Sequence, residues 1–181
     1  MDQYRKASLS ILSDASGLND IAIEVKPRGV SRLELCNPPP LMVNFKSDKK
    51  SPLYALGKLK LVQSCEPDNA SDQLIIKEYL VYQLYQILTP ISFRVRLVHL
   101  EMNSLTGEPY SKARYGFFIE NVDDLALRNG CREMPETERN TESLNREDNT
   151  MLSIFQFMIG NTDWSVPLNR NVKILQANIE N

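Results

Sequence analysis

After "FQFMIG" the chain runs into N-T-D-W-S, which sets an acid, Asp163, beside the single tryptophan, and Asn171 stands at the mouth of the apolar run V-K-I-L. Phosphoryl transfer needs such a pair: an acid to position the acceptor hydroxyl, and an amide oxygen nearby for magnesium, an ion that prefers oxygen. The same residues are also common helix-capping and turn formers, so a structural turn is the alternative reading. An earlier group carries a related signal. Lys58 and Lys60 alternate with Leu59 and Leu61, and a helical segment then places Glu78 in the stripe Leu74, Glu78, Val81, Tyr85, Leu88. A carboxylate on a core-facing stripe is costly unless it is protonated or meets a cation. Strand lysine followed by helix glutamate is an order that holds nucleotide phosphates. The alternative is that Glu78 reaches solvent at the stripe's edge and both lysines are surface charges. Arg28-Gly29-Val30-Ser31-Arg32 adds two guanidiniums around a flexible turn, and that fork matches phosphate oxygens. It reads equally well as a surface turn, since no Walker loop or G-x-G-x-x-G accompanies it.

Other chemistries find little support. His99 is the only histidine and lies on an apparent strand with no serine or cysteine motif near it, which argues against a hydrolytic triad. Tyr79, Tyr82 and Tyr85 follow helical spacing and read as core rather than as a base-stacking platform. A net charge of -2 over 181 residues gives no general attraction to nucleic acid or to an anionic membrane. No apolar run is long enough to span a bilayer. Met1 is followed by polar residues rather than a signal-peptide core, as expected of a cytoplasmic chain or of one whose N-terminal address is missing. The 3 cysteines, Cys36, Cys65 and Cys131, have no C-x-x-C metal spacing. Cys36 and Cys65 each flank an apparent strand, so they are either buried thiols or, in an exported chain, a disulfide.

The elements that must hold these groups follow from periodicity. Alternation predicts strands over 8–12, 21–26, 41–45 and 59–63, clearest in Ile21, Ile23, Val25 and in Leu41, Val43, Phe45, which is the pattern of a half-buried antiparallel sheet. Asn69, Ser71 or Asp72 can start a helix that Pro90 ends, giving about 72–88. "FRVRLVHLEMN" and "RYGFFIE" form a hairpin across Thr106-Gly107. Residues 130–149 are nearly free of apolar side chains and read as a polar loop or linker between 1–129 and 150–181. Beyond it, Leu152, Phe155 and Met158 or Ile159 mark a helix that Gly160 closes, followed by a strand over 172–175 with no evident partner. The fold class is therefore α+β.

Three stretches carry a likeness: "RGVSRLELCNPPPLMVNFK", "LKLVQSCEPDNASDQLIIKEYLVYQLYQILTPISFRVRLVHLEMN", and "YGFFIENVDD" leading on to "MIGNTDWSV" and "RNVKIL". In their order they resemble the CotH-type atypical protein kinases, named for a bacterial spore-coat protein, from about residue 26 to 175. The resemblance implies a partial kinase-like fold: an antiparallel-sheet N-lobe with one long helix that holds ATP, and the beginning of a helical C-lobe that supplies the acid and a magnesium ligand. Matched residue by residue, Lys60 is the phosphate-contacting lysine, with Lys58 the fallback in register, and Glu78 its partner. Arg28 and Arg32 belong to the Arg-Gly-x-Ser-Arg turn, Glu120 lies at the hinge near the adenine, Asp163 is the catalytic acid and Asn171 a metal ligand. The implied partners are ATP and a protein or other hydroxyl acceptor, and the family is often exported or surface-associated. Two departures stand out: Arg170 occupies a place where the family has histidine, and no later Asp-x-Asp segment precedes residue 181. The expectation is a truncated kinase fragment of very low activity, with a nucleotide-binding or structural pseudokinase module, or an α+β domain without a nucleotide site, as alternatives.

Overall fold

The computed structural model describes residues 3–12, 17–29, 33, 36, 38–65, 69–104, 109–138, 141, 142 and 144–178. Val30, Ser31 and Arg32 of the arginine turn, and the Thr106-Gly107 turn, lie outside these. The fold is mixed α+β. Six strands, β1 (Arg5–Ile11), β2 (Leu18–Pro27), β3 (Leu41–Asn44), β4 (Lys58–Gln63), β5 (Val95–Asn103) and β6 (Pro109–Ile119), form one antiparallel sheet in the order β1-β2-β3-β4-β6-β5. Helix α1 (Asn69–Leu88) connects β4 to β5; α2 (Val122–Arg128), β7 (Cys131–Glu133), α3 (Arg146–Met158) and β8 (Leu175–Ala177) follow β6. The chain divides into two compact units, Met1–Leu80 with Val95–Asn121, and Val81–Arg94 with Val122–Asn181.

In the first unit alternation sends Ile21, Ile23, Val43, Phe45 and Leu61 to one face, where Leu9, Leu41, Val98, Leu100 and Phe118 pack around them. The other face carries Val62 opposite Phe117, and the Tyr79 ring of α1 lies against Phe117 at 6.1 Å between centroids. The Tyr115 N–H donates to Asp72 Oδ1 at 3.3 Å, which helps set the rotation of α1. Asp72, Ile75 and Tyr79 therefore share the side turned to the sheet, with Ile75 buried. This corrects the expected stripe: Leu74 is 63% exposed, Leu88 51%, and Glu78 is exposed with them. Apolar character alone chose that stripe, whereas the aromatic contact and the Asp72 bond set the phase.

Gly116 sits on β6 hard against its neighbours. A Cβ there would meet Leu100 Cδ1 at 2.6 Å and the Val62 carbonyl oxygen at 2.9 Å, so the site has no room for a side chain. Beside it two polar groups are buried: Gln63 donates to the Pro39 carbonyl at 2.9 Å, and Arg114, 2% exposed, donates to the Ser64 carbonyl at 3.2 Å. Cys36 and Cys65 are joined in a disulfide with a Cα–Cα distance of 4.4 Å, and Cys131 is a half-buried free thiol.

In the second unit the Tyr85 ring packs on Phe155 at 4.8 Å. Burial, with the Asp148 carboxylate adding to it, pushes the Tyr85 phenol above its ordinary range. Asn145 caps α3, its Oδ1 accepting from the amides of Glu147 at 2.9 Å and Asp148 at 3.2 Å. The polar stretch 130–149 contains β7, a short 3₁₀ turn at Glu136–Glu138 and the start of α3. The C-terminal strand, expected to lack a partner, pairs with β7 through Cys131 opposite Ala177 and Glu133 opposite Leu175. Lys173 and Glu133, both partly buried, are joined at 2.8 Å, and Arg132 grips Gln176 Oε1 through Nε and Nη2.

Candidate functional site

Lys60 stands on β4, an interior strand of the sheet. Across the strands its register neighbours run Lys26, Met42, Lys60, Ile119 and Val95. Val62 lies two positions on, so both side chains leave the same face, the one that carries Phe117 and Tyr79 of α1. Glu78 precedes Tyr79 on that helix. Glu120 follows Ile119, the residue paired with Lys60, and is half-buried. The Arg28 amide donates to the Pro40 carbonyl at 2.8 Å, extending the β2 and β3 pairing by one step, and its side chain is half-buried. The sheet thus brings Arg28, Lys60 and Glu120 into one framework with the helix that bears Glu78.

One group on this face was missed from sequence. The Lys26 ammonium lies 5.3 Å from the centroid of the Tyr4 ring, and the Lys58 ammonium lies 5.7 Å from the same ring. Alternation of Glu24, Lys26 and Arg28 with Ile23 and Val25 signals that these charges share a face. Only the register shows that the face is the one bearing Lys60.

In the second unit a short path leads from α3 to Asp163. Gly160 has φ 68, a left-handed conformation that glycine adopts without cost, and its amide donates to the Phe157 carbonyl as the helix ends. Asn161 then donates from Nδ2 to Gln156 Oε1 at 2.8 Å and accepts the Asp163 amide at 3.0 Å. Ser165 and Arg170 exchange two backbone hydrogen bonds of 3.0 Å, closing a loop anchored by the buried Val166. Asn169 and Asn171 have φ of 50 and 54, left-handed values that asparagine tolerates better than most side chains. The loop returns Asn171 to Asp163: its Nδ2 donates to the Asp163 carbonyl and lies 3.3 Å from Asp163 Oδ2. With the nitrogen so occupied, the amide's Oδ1 is the atom left to serve as an acceptor. Arg170 Nη1 lies 3.1 Å from Asp163 Oδ1, and these side chains are 58% and 67% exposed, so the ion pair contributes little to stability. The structure thus joins Asp163 and Asn171, and it adds Arg170 as a third member that sequence reading noted only as a departure.

Among the described residues no three His, Cys, Asp or Glu side chains converge to hold a metal. Magnesium is commonly held by one or two carboxylates with phosphate and water, and here the Asp163 carboxylate and the Asn171 amide are the groups that stand together. His99 lies on β5, with its ring 5.1 Å from that of Tyr115, its cross-strand partner. Among the described residues no helix is long and apolar enough to cross a membrane. Protein-family models, curated proteins and solved structures contain no match to this chain.

Proposed function

We propose that this chain is a kinase-like nucleotide-binding protein of the CotH type, whose chemistry is phosphoryl transfer from ATP to the hydroxyl of a protein or other acceptor. The observation that carries the reading is the joining of Asp163 to Asn171 through the amide nitrogen. It leaves a carboxylate to take the acceptor's proton and an amide oxygen for magnesium on one closed loop. Magnesium, when bound with the nucleotide, neutralises charge on the phosphates. By the resemblance, Lys60 contacts phosphate oxygens, Glu78 orients it, Arg28 and Arg32 supply forked donors, and Glu120 lies at the adenine end. In the transfer step the acceptor oxygen bonds to the terminal phosphorus as the bond from phosphorus to its bridging oxygen breaks. The acceptor's proton passes to Asp163, and the nucleoside diphosphate leaves.

A second reading, a module that binds nucleotide without transferring phosphate, is favoured by one contact. Arg170 occupies Asp163 Oδ1, the oxygen an acceptor hydroxyl would otherwise approach. Both readings are tested together by measuring ATP affinity, thermal midpoint and phosphate transfer for the chain, Asp163→Asn and Lys60→Ala. Under the first reading Asp163→Asn abolishes transfer and keeps ATP binding, while Lys60→Ala weakens binding itself. Binding with no transfer in any variant selects the second. Undiminished transfer in Asp163→Asn ends the catalytic assignment, and a large fall in its thermal midpoint shows that the acid's task is to hold the loop.

A further inference from the structure

We infer that the acceptor is an acidic peptide, one whose hydroxyl is flanked by a carboxylate, and that Arg170 is the residue that reads that carboxylate. The inference rests on the phosphoryl-transfer reading above and names the substrate class of the same site. Arg170 and Asp163 meet through one pair of atoms, Nη1 and Oδ1 at 3.1 Å. A guanidinium presents its donors as a planar fork, so a contact through Nη1 leaves the edge formed by Nε and Nη2 for a second pair of oxygens. The side chain that carries this edge is 58% exposed. Asp163 keeps room as well. An ionised carboxylate has about four lone-pair sites; Arg170 takes one on Oδ1, and Asn171 lies 3.3 Å from Oδ2. An acceptor hydroxyl can therefore donate to Asp163 with the guanidinium still in place, and it then stands beside the open fork.

The charged side chains from Gly160 to Lys173 are Asp163, Arg170 and Lys173. Lys173 is held by Glu133 at 2.8 Å, both partly buried, which leaves Arg170 as the cation that this loop turns to solvent. Its backbone is fixed on both sides: its amide and carbonyl bond to Ser165, and Asn169 and Asn171 flank it in left-handed conformations. A fork on a fixed backbone matches a planar carboxylate through two parallel bonds, a geometry that an ammonium lacks. The loop also starts where α3 ends, and the C-terminal end of a helix, like Asp163 itself, disfavours an anion. Arg170 therefore sets the sign of the loop's preference, and without it a basic acceptor would be the better fit.

The test is a nuclear magnetic resonance titration of the full chain with end-blocked serine peptides whose flanking residues are glutamate, glutamine or lysine. Binding is followed through the indole signal of Trp164, the single tryptophan, which adjoins Asp163, and phosphate transfer from ATP to the same peptides is measured in parallel. The parent should bind the glutamate peptide about tenfold more tightly than the glutamine peptide. Arg170→Gln should lose that advantage and favour the lysine peptide, and Arg170→Lys, which keeps the charge without the fork, should retain only part of it. Asp163→Asn should bind the glutamate peptide about two- to fivefold more tightly, because a like charge is gone. Collapse of the loop would weaken binding in both the Arg170→Gln and Asp163→Asn variants, so their opposite signs identify recognition. Equal affinity for the three peptides, no response to any of them, or a glutamate preference undiminished in Arg170→Gln overturns the inference, and transfer to the peptides in that case leaves the phosphoryl-transfer reading standing. A glutamate preference that depends on Arg170, with no transfer to any peptide, upholds the recognition of acidic peptides and overturns the transfer reading.

Discussion

Reducing the Cys36–Cys65 bond should cost the first unit a large part of its stability, and the amount follows from chain entropy. The bond closes a separation of 29 residues, and a loop of that size restricts the unfolded chain by about 3.5 kcal/mol. With a urea slope of about 2 kcal/mol/M, the midpoint should fall by about 2 M on reduction. The slope itself should rise, because the unfolded chain without its cross-link exposes more surface. The assay is urea unfolding followed by far-UV circular dichroism, with and without reductant, repeated on Cys36→Ser/Cys65→Ser to separate loss of the bond from side effects of the reductant. A thiol titration of the unfolded protein supplies the control: one reactive group without reductant, Cys131, and 3 after it. Three thiols without reductant, or a midpoint indifferent to reduction, would refute the reasoning.

Two further outcomes are expected. Gly116→Ala should destabilise by about 1–3 kcal/mol in urea, because the Leu100 tip can move aside but the Val62 carbonyl belongs to the backbone; the gain of roughly 0.4–1 kcal/mol from a stiffer unfolded chain is smaller, and a neutral result would contradict the packing described here. Tyr85 has its phenol raised in the folded state, first by burial and then by Asp148, so its contribution is complete below the unfolded value near ~10 and is lost as pH climbs through the folded value. The parent's thermal midpoint should therefore drop more steeply above about pH 10 than that of Tyr85→Phe, and parallel curves would remove the basis for it.

Most of the sheet was legible because alternation is a local signal. The side chains that mark β2, β3 and β4, Ile21, Ile23, Val43, Phe45 and Leu61, are those that form the core. The limits of α1 were legible as well, since polar starters and Pro90 punctuate them, but its rotation was not: that depends on Tyr79 meeting Phe117 across the sheet. β7 was invisible for a related reason. Three residues within a polar stretch become a strand only because β8 arrives beside them from far along the chain. Helix α2 was missed although its signs were present, acids at Asp123 and Asp124, Arg128 in the last turn and Gly130 just beyond. In the candidate site, Asp163 and Asn171 stood out by residue type, but the contact of Arg170 with Asp163 needed the left-handed turns at Asn169 and Asn171. Lys26 and Tyr4 went unnoticed because a shared face across strands is a matter of register, and no local pattern encodes it.

The strand order leaves β1 and β5 as the two outer members of the sheet, and among the described residues no further strand pairs with either. An unpaired outer strand is a template on which another chain can add itself, and repeated addition is how soluble sheets grow into fibres. Both margins carry charge where such growth would begin: Arg5 and Lys6 on β1, and Arg96 and Glu101 on β5, all exposed. A neighbouring copy brought alongside would have to desolvate these charges before its first backbone bond formed, which opposes edge-to-edge pairing. For anyone engineering this chain, these two margins are where replacing charge with apolar bulk would most directly invite a second copy to add a strand.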